Sequence, residues 1–279
     1  MNSYSDLTTL KSTSYLNITG TADDIYLRKL LEHSSRMIDR EMQRFFYVKA
    51  ETRYYDGAGT KLFLPDDLLS ITTLKTDEDG DGTYENTFSV ATAPVDYFLY
   101  PLNDYPKIRI EINPNGDYGS FASGVQKGVE IVGKFGYGSG WDANSYVDST
   151  TITAEELDAT ETDVDVTSAA VLAIGQTILV ESEQMYITGI VSNTITVRRA
   201  VNGTTAATTL ATGKTIYIYE YPQPIAQACL VTAMRAWKRK DSAYADVIGS
   251  PEIGQIIMSK GLDPDVVETI KQYRKWSYP

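Results

Sequence analysis

The feature that most constrains the fold of this chain is the placement of its helical patterns at opposite ends of the sequence. One amphipathic pattern covers residues 21–46 and another covers residues 224–242. A helix with one apolar stripe must bury that stripe against another element. We therefore predict that the two ends pack together as one core, and that the sequence between them extends from this core as sheet and loops.

The first helical pattern has a recognisable start and a single apolar face. Residues 21–24 have the Thr-x-x-acid form of a capping box, which satisfies free backbone N–H groups at a helix start. Residues of the predicted inner face then recur at steps of three and four: Leu27, Leu31, Ser34, Ile38, Met42 and Phe45. A shorter helix is predicted over 7–15, with Ser5 or Asp6 as its cap.

The C-terminal part contains two further helix starts. Pro224 suits a first helical position, and the helix after it is predicted to present small residues that let another helix approach closely: Ile225, Ala228, Cys229, Thr232, Ala233 and Ala236. Cys229 is the only cysteine, so we interpret it as a packed core residue without an intrachain disulfide. Asp263 before Pro264 predicts the start of a last helix.

Between the helical ends the sequence period becomes two, which is typical of strands. An antiparallel sheet is predicted from segments 61–64, 70–75, 97–100, 107–112 and 128–133. Beyond residue 150 shorter strands rich in β-branched residues are predicted at 162–167, 177–180, 184–188, 194–198 and 215–219. Ser192-Asn193 indicates a two-residue hairpin turn and Asn202-Gly203 another tight turn.

These patterns predict an α+β protein with a helical-bundle core, an antiparallel β sheet with loops, and an inserted small all-β domain of barrel or sandwich type. The core is assigned to residues 1–149 and 222–279, and the insertion to residues 150–221. We expect the insertion to fold by itself, because the helical pattern resumes directly after it.

The net charge of −12 is concentrated in the predicted β regions. The net charge is +1 over 1–50, −9 over 51–149, −6 over 150–221 and +2 over 222–279. Solvated loops explain such an acidic middle, and it would repel nucleic-acid phosphates rather than hold them. No stretch has the length of apolar sequence that a membrane span needs, and the first residues lack a secretory signal pattern, so we expect synthesis in the cytoplasm and no membrane contact.

The sequence offers little for catalysis. The single histidine, His33, lies off the apolar stripe and is predicted to be exposed. A phosphate-binding loop ending in Gly213-Lys-Thr215 would need glycine at position 208, which is Thr208. A carboxylate pair is not excluded by counting, but no local motif singles one out. We therefore expect that the protein is not an enzyme.

One acidic segment has the pattern of a calcium-binding loop. Carboxylate side chains stand at loop positions one, three, five and nine, and Gly82 stands at the sharp-turn position six. The candidate ligand residues are Asp77, Asp79, Asp81, Thr83 and Glu85. Position twelve is Phe88, where a calcium loop carries glutamate. A weak structural calcium site and a hydrated hairpin tip are both open, and no other cofactor is predicted.

Three separated segments together resemble the head-tail connector (adaptor) family of tailed bacteriophages. They are the helix Asp24–Arg40 with its end at Arg44-Phe-Phe46, the strand and loop of 129–138, and Pro222 with the helix 226–240. The resemblance covers roughly residues 1–140 and 222–279. The segment Arg199-Ala-Val-Asn-Gly-Thr-Thr-Ala-Ala207 is also similar to a β module of phage virion proteins, although Thr209 stands where histidine is expected.

The resemblance implies a structural virion protein, made in the host cytoplasm and located in the neck. It would form a dodecameric ring below the portal protein, extend the DNA channel and dock the next neck or tail protein. Double-stranded DNA would pass through during packaging and ejection without sequence-specific binding. A tail-completion or other neck protein is an alternative, and so is a carbohydrate-binding module that uses some of the scattered tyrosines.

Two groups of residues are candidates for partner contacts. The basic residues near the end of the second long helix complement the helix dipole, and they also suit an acidic partner or nucleic acid: Arg235, Lys238, Arg239 and Lys240. The C-terminal aromatic residues are candidates for contact with the portal or for packing on the chain's own core: Tyr273, Trp276 and Tyr278.

Overall fold

A computed structural model describes residues 2–57, 59–138, 146–241, 247–250, 254–257 and 262–275. In this part of the chain the α-helices are α1 (Leu7–Lys11), α2 (Asp24–Met42), α3 (Gln223–Asp241) and α4 (Pro264–Tyr273). Strands make up 33% of the structure and helices 22%. The protein is therefore mostly antiparallel β structure.

This composition corrects the predicted fold class, because no helical bundle forms the core of the described residues. Helix α2 does pack against α3 and α4. The two large clusters of buried apolar side chains, however, are built by strands, one between residues 62 and 135 and the other between residues 157 and 216. Alternating strands bury one side chain in two, so two sheets of this size supply more apolar core than the helical faces do.

The first sheet contains six strands in the order β1-β6-β2-β5-β4, with β3 paired to β2. The strands are β1 (Lys49–Tyr55), β2 (Lys61–Thr76), β3 (Asn86–Phe88), β4 (Tyr97–Tyr100), β5 (Lys107–Ile112) and β6 (Val129–Phe135). Strand β2 is long because it pairs with β5 through its first half and with β6 through its second half. The two segments predicted at 61–64 and 70–75 are thus one irregular strand.

The second sheet also contains six strands, in the order β7-β14-β10-β11-β12-β9. The strands are β7 (Tyr146–Ile152), β9 (Asp163–Asp165), β10 (Thr177–Val180), β11 (Glu183–Val191), β12 (Thr194–Arg198) and β14 (Thr215–Tyr219). Val191 pairs with Thr194, which confirms the predicted two-residue turn between them. Two-stranded sheets join β8 (Leu157–Asp158) to β13 (Thr209–Leu210) and β15 (Val247–Ser250) to β16 (Gly254–Ile257).

The chain forms two compact units. Of the described residues, one unit contains those within 2–43, 146–201 and 205–275, so the helices belong with the second sheet. The other contains those within 44–138 and 202–204, and thus the first sheet. The boundaries predicted at 149 and 222 follow a different division, and independent folding of 150–221 stays a prediction.

A buried ion pair fixes the loop between β12 and β13 within the second-sheet region. Both oxygens of Glu183 face the Arg199 guanidinium, at 2.6 and 2.7 Å, and also accept hydrogen bonds from the backbone N–H groups of Ala200 and Ala207. The Glu183 side chain is 1% exposed. Burial acts to raise the pKa of Glu183, but Arg199 and these backbone donors outweigh burial and hold that pKa below its usual value.

The helix ends agree with sequence signals except at α2. The Asp6 side chain accepts a hydrogen bond from the Thr9 N–H, and the Asp263 side chain accepts one from the Asp265 N–H, as expected of helix caps. Helix α2 starts after Asp23 without a side-chain cap, so the predicted capping box of 21–24 is wrong. Its apolar stripe is confirmed as far as Met42, since Leu27, Leu31, Ser34, Ile38 and Met42 are buried. The prediction was wrong for Phe45, which lies beyond the end of the helix and is half-buried.

The N-terminal segment is anchored on α2 by buried polar contacts. Tyr4 is 1% exposed; its backbone N–H donates to the Ser35 hydroxyl at 2.9 Å, and its phenol O–H donates to the Asp39 carboxylate. Arg36 lies 3.2 Å from Asp39. Burial raises the pKa of Asp39 to about 6, although Arg36 and the Tyr4 hydroxyl both act to lower it.

The raised pKa of Asp39 predicts a pH-dependent cost in stability. A carboxyl group that binds its proton more tightly in the folded state stabilises the fold as pH falls from about 6 to about 4, and it destabilises the fold above pH 6. We expect Asp39→Asn to be more stable relative to wild type at pH 7.5 than at pH 4.5, by about 1–2 kcal/mol. Urea unfolding at both pH values measures this difference.

Glu41→Gln is the matched control, because Glu41 lies on the same helix and its side chain is 43% exposed. We expect its effect on the free energy of unfolding to be similar at the two pH values. Equal effects of Asp39→Asn at both pH values would contradict the assignment.

Candidate functional site

The acidic loop lies at the tip of the hairpin that joins β2 to β3. One carboxylate oxygen from each of four residues lies within 4.8 Å of the others, namely Asp77, Asp79, Asp81 and Glu85. Asp77 is buried and the other three are exposed. Among the described residues, groups of at least three His, Cys, Asp or Glu side chains that could share a metal ion are confined to this loop.

Backbone N–H groups of the loop donate hydrogen bonds to its carboxylates. Asp77 accepts hydrogen bonds from the N–H groups of Gly80 and Gly82, at 2.7 and 2.9 Å. Asp81 accepts one from the Thr83 N–H at 2.6 Å. The structure thus brings together the four predicted carboxylates, with Thr83 in the same turn. The set of hard oxygen atoms suits calcium, and calcium binding stays a prediction.

Two of the four basic residues predicted as an interface on α3, Arg235 and Lys240, make contacts within the chain. Arg235 pairs with Asp263 at 2.5 Å, and Asp263 is also the cap of α4. Lys240 lies 3.7 Å from Asp23 at the start of α2, and its amino group lies 4.1 Å from the centre of the Trp237 ring. These pairs connect α3 to the neighbouring helices.

The remaining predicted contact residues differ in their surroundings. Lys238 is exposed and Arg239 is half-buried near the end of α3. Tyr273 is half-buried at the last position of α4. Trp276 and Tyr278 lie outside the described residues. Contact of these residues with a partner stays a prediction.

Sequence reasoning missed an aromatic patch on the first sheet, which we call the outer patch: Phe63, Phe98, Tyr100 and Arg109. In the register Arg109 stands directly between Phe63 of β2 and Tyr100 of β4. Its guanidinium lies 5.7 Å from the centre of the Phe63 ring and 4.6 Å from that of Tyr100. Phe63 is 61% exposed and Phe98 41%.

The side chains of the outer patch are held in place by their neighbours. The Glu111 carboxylate forms ion pairs with the Arg109 guanidinium at 3.0 Å and with the Lys61 amino group at 3.3 Å. Cation–π stacking and charge pairing both reduce the freedom of the Arg109 side chain. Strand alternation is the sequence signal that could have predicted this patch. Phe63 stands between the buried Leu62 and Leu64, so its side chain points to the opposite, outer face of the sheet.

The loop after β4 is tied to the same sheet by a lysine. The Lys107 amino group donates to the backbone carbonyls of Pro101 and Leu102, at 2.6 and 3.1 Å. Burial lowers the pKa of Lys107, while the Asp104 carboxylate acts to raise it. These contacts hold a loop in which Leu102 is 58% exposed.

No protein-family model matches the chain, and no curated protein matches it. Among solved structures, a chain of the structure described as "Neck of empty GTA particle computed with C6 symmetry" matches with 13% sequence identity and a TM-score of 0.40. The match covers 98% of this chain and 88% of that chain. A TM-score of this size does not establish a common fold.

None of the helices in the described part of the chain is both long enough and apolar enough to cross a lipid bilayer.

If the acidic loop binds calcium, calcium should stabilise the first-sheet unit. A ligand that binds only the folded state raises the free energy of unfolding. The increase grows with the logarithm of the ratio of ligand concentration to Kd, and it is about 2.7 kcal/mol when the concentration is 100 times Kd. We expect millimolar calcium, compared with excess EDTA, to raise the unfolding temperature of wild type by a few degrees. Asp79→Asn with Asp81→Asn should abolish this shift.

Asp104→Asn, which removes an acidic group outside this loop, should retain the shift, and magnesium should produce a smaller one because it requires a stricter octahedral geometry. An unfolding temperature of wild type that is the same in calcium and in EDTA would leave the hydrated hairpin tip as the correct interpretation.

Proposed function

We propose that this chain is a structural, non-enzymatic virion protein of the head-tail connector type. In this proposal it forms a dodecameric ring beneath the portal protein of a tailed phage, continues the DNA channel and docks the next neck or tail protein. The observation that carries the proposal is the ordered resemblance of three segments, together with the packing of α2 on α3, which brings the helices of the first and the last of those segments into one compact unit.

The charge distribution supports a channel role. Residues 51–221 carry a net charge of −15, whereas both ends of the chain are near neutral. DNA binding requires clustered lysine and arginine that displace counterions from phosphates. An acidic wall would instead let the phosphate backbone slide during packaging and ejection.

The chemistry of the described residues supports a structural role. His33 is exposed on α2, and among the described residues it belongs to no group of three or more side chains that could share a metal ion. Cys229 is buried, and burial raises its pKa to about 11, so its thiolate is disfavoured as a nucleophile. Hydrogen bonds from neighbouring groups act in the opposite direction but do not outweigh burial.

The most direct test of this function is to locate the chain in purified virions. We expect gold-labelled antibody against the chain to mark the junction of head and tail, and cryo-EM of the neck to show twelve copies below the portal. Virions assembled without the chain should contain filled heads that lack tails or lose DNA.

A matched control is antibody against the major tail protein of the same phage, which should label the tail shaft instead. Labelling at the distal end of the tail, or absence of the chain from virions, would contradict the proposal. Labelling at the tail's head-proximal end with a copy number other than twelve would favour a tail-completion protein.

A further inference from the structure

A cavity of about 350 Å³ opens within the unit that contains the helices and the second sheet. Cavities of about 300–1,000 Å³ are typical of small-molecule binding sites. Its walls come from the N-terminal segment, from residues 175–176 before β10, and from the connection between β14 and α3. The polar residues that line it include Asp6, Tyr15, Gln176, Glu220, Gln223 and Gln227. It therefore has the size of a small-ligand site and offers several hydrogen-bonding groups.

The charge of this cavity disfavours anionic ligands. Two carboxylate residues, Asp6 and Glu220, line it, and none of the described residues that line it is lysine, arginine or histidine. A sulfate, phosphate or carboxylate group in the cavity would face these like charges without a base to pair with. The lining therefore favours a neutral or a positively charged ligand.

Two glutamine amides of the cavity are oriented by the protein. The Gln227 Oε1 accepts a hydrogen bond from the Tyr15 hydroxyl at 2.5 Å. The Gln176 Oε1 accepts one from the Ala173 N–H at 2.8 Å. Because the carbonyl oxygen of each amide is engaged in this way, its NH₂ group is oriented as a hydrogen-bond donor.

The carboxylates of the cavity supply acceptors. The Asp6 oxygens accept hydrogen bonds from the N–H and the hydroxyl of Thr9, at 2.8 Å each. An ionised carboxylate has about four lone-pair positions, so Asp6 can accept further hydrogen bonds from a ligand. Glu220 is exposed in the short connection between β14 and α3. The cavity thus presents acceptors as well as donors.

Tyrosine rings form one wall of the cavity. Tyr4 and Tyr219 line it, and both pack on Tyr221, with ring centres 4.8 Å apart in each pair. Tyr15 is half-buried and lines the cavity as well. The face of a tyrosine ring carries partial negative charge, so it attracts the weakly positive C–H groups of a sugar ring.

We infer that this cavity binds a neutral, hydroxyl-rich ligand, namely a saccharide. A sugar hydroxyl both donates and accepts hydrogen bonds, so it can use the amide donors and the carboxylate acceptors together. An ammonium group only donates and an ionised carboxylate only accepts, so each would leave one of the two sets unused. This inference goes beyond the proposed structural role and does not depend on it.

The test uses the full-length protein and saturation-transfer difference NMR, which detects weakly bound ligands. The probes are maltose, cellobiose, lactose and chitobiose, with cadaverine and glutarate as charged comparisons. The cavity variant is Glu220→Ala with Gln223→Ala, because both residues are exposed. The control is Glu156→Ala with Gln272→Ala, which removes the same two side-chain types from exposed positions that do not line the cavity.

We expect wild type and the control to transfer saturation to at least one disaccharide, and to bind cadaverine and glutarate more weakly than that disaccharide. The cavity variant should bind the same disaccharide at least about 10-fold more weakly, since two hydrogen-bonding side chains are lost. Equal unfolding temperatures of the three proteins will show that the substitutions preserve the fold.

Absence of saturation transfer to all four disaccharides at millimolar concentration would overturn the inference. Equal affinity of wild type and the cavity variant would also overturn it, because the saccharide would then bind elsewhere. Tighter binding of cadaverine or glutarate than of every disaccharide would assign the cavity to a charged ligand. The position of the chain in virions is measured separately, so each of these results would leave the proposed function standing.

Discussion

The packing of α2 against α3 is the contact on which the rest of the unit that contains the helices and the second sheet depends. The Ser35 hydroxyl lies 3.3 Å from the Cys229 sulfur and donates to the Leu31 carbonyl at 2.8 Å. Ala228 and Ala233, like Cys229, are buried on the inner face of α3. Small side chains on both helices allow a close approach, and a larger side chain at Ser35 or Cys229 would have to displace its neighbours.

The second sheet is also connected to the helices. Strand β14 leads directly into α3. The Tyr186 hydroxyl of β11 forms hydrogen bonds with the Ser3 hydroxyl and the Glu32 carboxylate, at 2.8 and 3.0 Å. The N-terminal segment, α2 and the second sheet therefore share buried polar contacts as well as apolar packing. Such contacts are specific in geometry, because an unpaired buried hydroxyl or carboxylate is costly.

Much of the local structure could be predicted from the sequence, because its signals are local. Strands β4, β5, β10, β12 and β14 occupy the predicted residues, and α4 begins at its predicted cap. Strand β1 was missed since its residues do not alternate between apolar and polar. Its Arg53 stacks 4.2 Å from the centre of the Phe135 ring and pairs with Asp66 at 2.5 Å, so a charged side chain covers apolar surface there.

The fold class and the outer patch depended on long-range pairing, which a single sequence does not display. Strand β1 pairs with β6, and β2 pairs with both β5 and β6, so the core of the first sheet is assembled from distant segments. The helical patterns were the stronger signals in the sequence, and they led to the prediction of a helical-bundle core, whereas strands build the large apolar clusters. The acidic loop was predictable because its carboxylates are adjacent in sequence.

The most direct test of the central claim is to trap the α2–α3 contact. Cys229 is the only cysteine, so Ser35→Cys places a second thiol beside it, 194 positions away in sequence. We predict that mild oxidation forms an intrachain disulfide, seen by mass spectrometry of the linked peptides, and raises stability by up to about 5 kcal/mol. The control Ser14→Cys, on an exposed turn, should form none. Two free thiols in oxidised, folded Ser35→Cys would contradict the packing of the two ends.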